Sequence, residues 1–569
     1  MKASDYVARF LAVNGVRVVT ELCGGMTTHL LDSLASTPEI DIVSMRHEQG
    51  AAFAAEAIAR MTGVPGVALA TSGPGATNLL TGIGSCYFDS VPTVFITGQV
   101  NTHELRGESG VRQAGFQETD IVAIATPITK GAWQVESPER LPEMLERAFT
   151  VALSDRPGPV LLDIPMNVQR GEVAGDPVKV VRAPRLAAVS VAEALDPVLA
   201  AARPLVLAGG GIRAAGAADV FEAFVRTAHL PVVTSLMGVD ALDFDHAEHV
   251  GLIGSYGNRW ANLAMAEADC ILVLGARLDV RQTGANITAF GEGKTIIRVD
   301  IDPRQLAWRV AGDVNVLADV RAFLEEAIVY ARGLTVPAND EWHARIAELK
   351  QAWPDHEEVS DLGGINPAEF MRRLSEASGD TAAFVTDVGQ NQMWAAQSLR
   401  LRPGQRFLTS GGMGAMGFAL PAAIGAALVS SGAPVVMLSG DGGMQINIQE
   451  LGTVAAHGLP LKMVVLNNQC LGMVRQFQDE YFGGRHQSTI TGYHAPGFAA
   501  VASAYGIASR TVSEPGEVDD ALAWVFAAPN EPTLLEVILP DTTCVRPKVS
   551  FGNPVYVMDR PPARRGSDG

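Results

Sequence analysis

The stretch Val435–Val474 constrains the fold more than any other part of this sequence. It reads as an apolar strand, a Gly-Asp-Gly turn, an amphipathic helix and a second apolar strand that ends in an Asn-Asn pair. The 24 residues between Gly442 and Asn467 match the length of one right-handed crossover between parallel strands. The spacing therefore predicts that Asp441 and Asn468 lie at the same edge of a parallel sheet.

These two side chains suit a hard cation. One carboxylate and one amide oxygen, beside glycines that let the backbone approach closely, form a pocket made only of oxygen ligands. Mg²⁺ fits such a pocket because it accepts few protein ligands and completes its octahedron with phosphate oxygens and water. A Gly-Asp-Gly turn alone also occurs in ordinary dinucleotide-type units, but the Asn-Asn pair at this distance favours a magnesium-bound diphosphate.

The turn, the spacer and the Asn-Asn pair resemble the diphosphate-binding signature of thiamine diphosphate (ThDP) enzymes. The resemblance implies that Asp441, the side chain of Asn468 and the backbone carbonyl of Cys470 bind Mg²⁺. In that family the residue matching Met416 holds the cofactor in its bent shape, and the carbonyl at the Gly414 position receives the 4′-amino group. The other residues that the resemblance assigns to ThDP in this part of the chain are Gly389, Gln390, Gly440, Gly442, Gly443, Ile446 and Met473.

Residues 1–173 alternate apolar strands with helical stretches, which predicts a mostly parallel sheet covered on both faces. Here Glu48 follows a strand and opens a helix, where a carboxylate is usually just stabilised by the helix dipole. However, the segments MRHEQGAAFAAEAIAR, ATSGPGATN and FDSVPTVFITGQV resemble the pyrimidine-binding domain of ThDP enzymes of the acetolactate synthase branch. There the matching Glu hydrogen-bonds ring nitrogen N1′ and so favours the tautomer of the cofactor that acts as the internal base. The resemblance also assigns Gly24, Gly25, Gly73 and Asn78 to the cofactor pocket, and Phe116 and Gln117 to the reaction chamber as catalytic residues.

Residues 187–334 show a second α/β pattern, with glycines at strand ends and an acidic residue after a long apolar strand, as in dinucleotide-type sheets. The pattern resembles the central domain of acetolactate synthases, where a flavin (FAD) lies against the equivalents of Gly209, Gly210, Gly211, Arg277 and Asp300. The flavin there has a structural or vestigial role, since the net reaction is not redox. Arg281 matches an arginine at the substrate entrance that is implicated in holding the carboxylate of the second 2-oxo acid, a task suited to a planar charged fork.

The third unit, residues 363–545, follows a polar helical linker (337–362) and precedes a C-terminal tail (546–569). The sequence therefore predicts an α/β fold of three doubly wound parallel-sheet domains: pyrimidine-binding, central flavin- or dinucleotide-type, and diphosphate-binding. ThDP enzymes build each site between the first domain of one subunit and the third domain of its partner. The resemblance thus implies a homodimer or a homotetramer.

The resemblance covers nearly the whole chain and implies decarboxylation of a 2-oxo acid, most simply pyruvate, with transfer of the remaining two-carbon unit to a carbonyl acceptor. If the acceptor is a second pyruvate, the product is 2-acetolactate and the pathway is branched-chain amino acid biosynthesis. The loop 101–115 is longer than in acetolactate synthases and carries Arg106 and Arg112, and Phe477 stands where they have a tryptophan. These departures surround the acceptor channel and leave the acceptor open.

Alternatives follow from the same residues. One is a carboligase that uses another ketone, such as a nucleotide-linked keto-sugar, with the two loop arginines at its phosphates. Another is a flavin-dependent pyruvate oxidase. A catalytically silent binding or regulatory subunit is disfavoured because it would tolerate the loss of Glu48 or Asp441, and both are present. Glyoxylate carboligase is disfavoured because that group lacks the catalytic Glu.

The net charge of −19, from 43 basic and 62 acidic residues, argues against nucleic acid or an anionic membrane as the main partner. The five cysteines are scattered and lack metal-ligand or disulfide spacing, as expected in a reducing compartment. The N-terminus reads as a helix capped at Ser4 and not as a signal peptide, and no run of about 18 uncharged apolar residues appears. The sequence therefore predicts a cytoplasmic enzyme with small-molecule substrates; a regulatory small subunit is a further partner that the family leaves open.

Overall fold

Three six-stranded sheets follow one another along the chain, and the strand pairings within them are parallel. The computed structural model describes residues 1–187, 191–334 and 339–561. The predicted α/β class with three parallel-sheet domains is confirmed. The domain boundaries stay predictions, and those parts of the predicted linkers and tail that fall on 188–190, 335–338 and 562–569 lie outside the described residues.

The first sheet is buried on both faces, since Val67 and Leu69 lie in one apolar cluster and Ala68 and Ala70 in another. Its strand order is β2-β1-β3-β4-β6-β5. The strands are β1 (Val18–Leu22), β2 (Asp41–Ser44), β3 (Gly66–Ala70), β4 (Thr93–Gln99), β5 (Gly131–Gln134) and β6 (Val160–Pro165). The helices are α1 (Ala3–Val13), α2 (Thr28–Ala35), α3 (Glu48–Thr62), α4 (Pro74–Asn78), α5 (Leu80–Asp89), α6 (Ile121–Ala125), α7 (Leu141–Leu153) and α8 (Met166–Arg170).

The central sheet has the order β12-β11-β10-β7-β8-β9. Its strands are β7 (Pro204–Ala208), β8 (Val232–Thr234), β9 (His249–Leu252), β10 (Cys270–Leu274), β11 (Thr295–Asp300) and β12 (Val314–Leu317). Its helices are α9 (Val191–Ala200), α10 (Gly211–Ala214), α11 (Ala218–Ala228), α12 (Arg259–Glu267), α13 (Val280–Thr283), α14 (Ile287–Gly291), α15 (Pro303–Leu306) and α16 (Val320–Arg332).

Helix α17 (Asp340–Ala352) lies within the segment predicted to be a polar linker. It belongs to the central domain, because Trp342, Ile346 and Leu349 are buried in that domain's apolar core. The Trp342 indole N–H also donates to the carbonyl of Pro204 at 2.9 Å. The segment therefore packs as part of a domain and does not only connect two domains.

The third sheet has the order β14-β13-β15-β16-β18-β17. Its strands are β13 (Ala383–Thr386), β14 (Arg406–Leu408), β15 (Val435–Gly440), β16 (Leu461–Asn467), β17 (Ala508–Val512) and β18 (Thr533–Ile538). Its helices are α18 (Pro367–Ala377), α19 (Gln390–Ser398), α20 (Ala419–Leu428), α21 (Asp441–Ile446), α22 (Leu451–His457), α23 (Gly472–Phe482), α24 (Phe498–Ala504) and α25 (Val518–Phe526).

Strands β15 and β16 are direct neighbours joined by the predicted crossover. The predicted Gly-Asp-Gly turn is wrong in its details: Gly440 ends the strand and Asp441 begins α21. The strand runs this far because Ser439 and Gly440 still pair with Val465 and Leu466. The predicted helix cap at Ser4 is also wrong, since α1 begins one residue earlier.

The first and third domains share one apolar core. The small residues of α3 pack on α20, and the rings of Phe53 and Phe418 meet edge to face with centroids 5.3 Å apart. A side chain at Gly425 would overlap the backbone of Ala54, so glycine allows the two helices to lie this close. The helix that begins with Glu48 is thus fixed against the domain that carries Asp441. Among the described residues, no helix is both long enough and apolar enough to cross a membrane.

Candidate functional site

The ends of β15 and β16 bring the predicted metal ligands to one edge of the third sheet. Asp441 directly follows β15, and Asn468 and Cys470 directly follow β16. All three residues are buried. Gln469 between them has a left-handed backbone, with φ of 54°, a conformation that costs a non-glycine residue about 1 kcal/mol or more. Such strain is typical of turns whose geometry serves a site.

The Asp441 carboxylate is incompletely satisfied. Its Oδ1 accepts a hydrogen bond from the backbone N–H of Gly442 at 3.0 Å, whereas Oδ2 is buried and lacks a hydrogen-bond partner. Burial raises the pKa of Asp441 to about 6. A buried carboxylate oxygen without a partner is costly, so the chemistry of this atom fits a cation ligand.

The Asn468 amide is oriented for the same purpose. Its Nδ2 donates to Oε1 of Gln390 at 3.0 Å, and the Gln390 amide nitrogen donates to the carbonyl of Thr543 at 3.1 Å. The Asn468 Oδ1 keeps only a long contact of 3.4 Å from the N–H of Cys470. The donor set therefore fits Mg²⁺. Gln390 orients the Asn468 side chain, a role that the sequence did not indicate.

The glycines after β15 allow close approach of other elements. A side chain at Gly442 would overlap Leu471 and touch Met416, and one at Gly443 would overlap Asp387. Gly414 has a left-handed backbone with φ of 64°. Ile446 is exposed and Met473 is half-buried on α23, while Gly389 caps α19 just before Gln390.

Glu48 is the first residue of α3 and is buried. Its Oε2 accepts a hydrogen bond from the Asn78 side chain at 2.9 Å, and a Cβ at Gly75 would lie 3.2 Å from its Oε1. Residues of the third domain also bind the backbone and side chains on either side of Glu48. Glu450 accepts from the backbone N–H of Arg46 at 3.0 Å, and the Asn447 amide donates to Gln49 at 3.1 Å.

Two glycine turns of the first domain border this region. A side chain at Gly24 would overlap Thr71, whereas Gly25 faces open space. Gly73 has a left-handed backbone with φ of 64°, and a Cβ there would lie 3.1 Å from Cβ of Gln117. Glycine at positions 24 and 73 thus allows close packing against Thr71 and Gln117.

Gln117 itself has a left-handed backbone with φ of 64°, and Phe116 beside it is 78% exposed. Glu118 organises the long loop before them by accepting backbone N–H bonds from Arg106 at 2.6 Å, Ala114 at 2.7 Å and Gly115 at 3.3 Å. The loop is therefore built on a carboxylate that the sequence did not single out.

The loop arginines differ in their contacts. The Arg106 guanidinium lies 3.7 Å from the Asp120 carboxylate, whereas the Arg112 side chain is exposed. Phe477 lies on α23, where its ring centroid is 4.5 Å from that of Tyr481. Arg281 lies elsewhere, on the wall of a cavity at the central domain.

This central cavity has a volume of about 270 Å³. Four of the five predicted flavin residues line it, and Gly209 does not; a side chain at Gly209 would overlap the backbone of Gly275, so its glycine serves close packing. Five further arginines line the wall: Arg60, Arg156, Arg182, Arg213 and Arg406. Burial raises the pKa of Asp300, which also lines it.

Comparison with known proteins agrees with this geometry. Residues 1–124 match the N-terminal TPP binding domain of thiamine pyrophosphate enzymes, residues 191–327 match their central domain, and residues 387–537 match their C-terminal TPP binding domain. The chain belongs to the thiamine pyrophosphate enzyme family. Thiamine pyrophosphate is another name for ThDP, and the predicted family resemblance is confirmed.

Relatives within this family match the chain over almost its whole length. The probable acetolactate synthase large subunit of Methanocaldococcus jannaschii is 34% identical over 95% of this chain and 92% of its own. The acetolactate synthase large subunit of Lactococcus lactis is 35% identical, over 96% and 94%. The acetolactate synthase isozyme 2 large subunit of Escherichia coli is 36% identical, over 97% and 98%. This chain is thus a ThDP-dependent enzyme similar to these proteins.

Proposed function

We propose that the protein is the catalytic subunit of an acetolactate synthase. It decarboxylates pyruvate and joins the remaining two-carbon unit to the carbonyl of a second pyruvate, which gives 2-acetolactate for branched-chain amino acid biosynthesis. The observation that carries the proposal is the buried, unpartnered Oδ2 of Asp441 beside the oriented amide of Asn468. The names of the similar proteins support pyruvate as the acceptor.

ThDP, when bound, supplies a nucleophilic carbon and an electron sink for decarboxylation. Asp441, Asn468 and the carbonyl of Cys470 would hold Mg²⁺, which would bind the diphosphate. Glu48 holds a proton at ring nitrogen N1′, and Asn78 keeps its carboxylate in place. Phe116 and Gln117 line the chamber in which the acceptor carbonyl meets the two-carbon unit.

The test is incubation of purified enzyme with ThDP, Mg²⁺ and pyruvate, with and without a panel of ketones, and identification of the product by mass. We expect 2-acetolactate and carbon dioxide from pyruvate alone. If carbon dioxide is released from pyruvate but a carbon–carbon coupling product forms only when another ketone is present, pyruvate is rejected as the acceptor. An absence of ThDP-dependent carbon dioxide release would reject the whole proposal.

A carboligase for another ketone is the second candidate, and the loop 101–115 is the observation that favours it. Arg112 is exposed and available to a phosphate, whereas Arg106 already faces Asp120. Replacement of both arginines by alanine should raise the KM of a phosphate-bearing acceptor and leave carbon dioxide release unchanged. An unchanged KM for this acceptor would show that the two loop arginines do not bind it.

The central cavity is proposed to bind FAD in a non-redox role. The arginines of its wall suit a pyrophosphate, and Asp300 at the end of β11 is a hydrogen-bond acceptor on the same wall. Purified enzyme that carries FAD should stay yellow when pyruvate is added without oxygen. Bleaching of the flavin under these conditions would favour a pyruvate oxidase.

A second copy of the chain completes the proposed site. Phe116, Met413 and Ile446 are predicted site residues or their neighbours, yet they are 78%, 43% and 45% exposed in one chain. We therefore propose a homodimer, alone or within a homotetramer, with Glu48 of one copy and Asp441 of the other at each cofactor. A regulatory small subunit is a further proposed partner, supported by the name "large subunit" of the similar proteins.

Complementation tests this arrangement. Glu48→Gln and Asp441→Asn chains with different tags are co-expressed, and the species carrying both tags is purified. If each site takes one residue from each copy, one site of every two in this species is intact, so about half of the wild-type activity returns. If both residues served one site within a single chain, both sites would stay defective and the mixed species would be as inactive as either parent.

A further inference from the structure

The run Thr409–Gly412 precedes the two predicted cofactor-contacting residues Gly414 and Met416 and contains no helix or strand. Its backbone is the start of the irregular connection between β14 and α20. A connection without regular secondary structure is held in shape by the hydrogen bonds that other elements make to its backbone. The position of Met416 therefore depends on these contacts.

The far end of the connection is held by the third domain itself. The buried Asp387 carboxylate accepts the backbone N–H groups of Gly417 at 3.0 Å and Ala419 at 2.9 Å. This anchor fixes the residues that follow Met416. The third domain also holds Thr409, whose hydroxyl donates to the carbonyl of Thr386 at 3.0 Å and accepts from the Gln392 amide at 2.6 Å.

The first domain also binds this near end and is the domain that holds Gly411 and Gly412. Thr409 accepts from the Arg60 guanidinium at 2.7 Å, and the hydroxyls of Ser410 and Ser85 lie 3.3 Å apart. The next two backbone N–H groups, of Gly411 and Gly412, donate to the two oxygens of Asp89 at 2.8 and 2.7 Å. Four consecutive residues thus bind side chains of α3 and α5.

Asp89 is the strongest of these contacts because both of its oxygens accept short, charge-assisted bonds. It lies at the end of α5, and Arg60 lies near the end of α3, the helix that Glu48 begins. The first domain therefore contacts the connection at a point far from Glu48. Neither the spacing nor the type of these residues indicates such a role.

We infer that Asp89 is a positioning residue for ThDP: it fixes the start of the connection that carries Gly414 and Met416 from across the domain boundary. The inference rests on the proposed function of that connection as the part of the third domain that holds the bent cofactor. In this role Asp89 acts on ThDP through the backbone of Gly411 and Gly412, and its side chain also lines the central cavity.

The test is calorimetric titration of ThDP into metal-loaded apoenzyme, with the variants Asp89→Asn and Glu358→Gln beside the wild type. The asparagine oxygen accepts one of the two N–H groups, and its NH₂ group opposes the other, so we expect the Kd of ThDP to rise about tenfold. Glu358 serves as the control carboxylate, because it is also buried and accepts hydrogen bonds, from Arg259. It is far from the connection in sequence and does not contact it. Its variant should lower the Tm and leave the Kd of ThDP within twofold of the wild type.

An unchanged Kd in Asp89→Asn, or an equal rise in Glu358→Gln, would overturn the inference. If Asp89→Asn does not fold, hydrogen exchange of the wild-type apoenzyme decides: the amides of Gly411 and Gly412 should exchange slowly, and fast exchange of both would overturn it. Carbon dioxide release by the wild type is measured separately. Its absence would reject the proposed function, whereas normal release with an unaffected Asp89→Asn variant would reject only this inference.

Discussion

Replacement of Glu48 by glutamine tests the centre of the proposed mechanism. Glutamine keeps the length of the side chain and an oxygen that can accept the hydrogen bond from Asn78. This bond is 2.9 Å long in the wild-type protein. It removes one charge from the first turn of α3, which costs about 0.3–1 kcal/mol of stability. It also replaces the acid–base group that shares a proton with N1′ by an amide that does not titrate, and such proton transfers contribute about 10²–10⁴-fold to rates. Pyruvate decarboxylation should therefore fall at least about 100-fold, equivalent to about 2.7 kcal/mol, in a protein that stays folded.

The matched control lies two turns further along the same helix. Glu56 is fully buried, and burial raises its pKa to about 7. Its carboxylate faces the Arg60 guanidinium at 3.4 Å, so Glu56→Gln removes a buried carboxylate from the same helix and leaves Glu48 unchanged. At pH 6 we expect its decarboxylation rate within twofold of the wild type. A Glu48→Gln enzyme that keeps more than a tenth of the wild-type rate, with normal ThDP content, would refute the assigned proton role.

Three further outcomes are expected. Asp441→Asn should raise the half-saturating Mg²⁺ concentration about 100-fold in the decarboxylation assay, because a buried cation loses its charged ligand; a rise below threefold would remove Asp441 from the metal site. Arg259→Met should lower the free energy of unfolding in urea by about 3–5 kcal/mol, since it leaves the buried Glu358 unpaired. The double variant Arg259→Met with Glu358→Leu should recover most of this loss. A loss below about 1 kcal/mol in the single variant would contradict the prediction. The hydrogen bond to Glu248 raises the pKa of His343 above its ordinary value near 6.5, so this stabilisation is complete below that value and is lost as pH rises through the higher folded pKa. Urea unfolding of His343→Gln should therefore lose about 0.5–1 kcal/mol at pH 6 and much less at pH 8.5, and an equal loss at both pH values would exclude the titration of His343 as its cause.

The parts of the fold that the sequence predicted are those with a strong local signal. Strands β15 and β16 are continuous apolar runs separated by a crossover of ordinary length, and their pairing is observed. The short edge strands β5, β9 and β12 were not predicted, because four residues carry too little periodicity to separate a strand from a loop. Strands β5 and β12 are also only partly buried, so their composition is weakly constrained.

The candidate site divides in the same way. The residue types at Asp441 and Asn468 and their spacing predicted where the two side chains would meet. The supports behind them have no such signal: Gln390 orients Asn468 from 78 residues away in sequence, and Glu450 holds the backbone of Arg46 from 404 residues away. Left-handed backbones at Gln117 and Gln469 are likewise invisible in composition, because the surrounding structure imposes them on residues that do not favour them.

The packing of α3 on α20 explains why these distant supports can act together. Glu48 begins α3, and the connection with Met416 leads directly into α20. The packing of these two helices therefore fixes, within one chain, the contacts that this chain gives to the two cofactor sites of the proposed dimer. Small residues bring the helices close enough that a side chain at Gly425 would overlap the backbone of Ala54. Close-packed helices do not slide without losing these contacts. The alanine-rich face of α3 is therefore part of the site's construction, although none of its side chains carries chemistry.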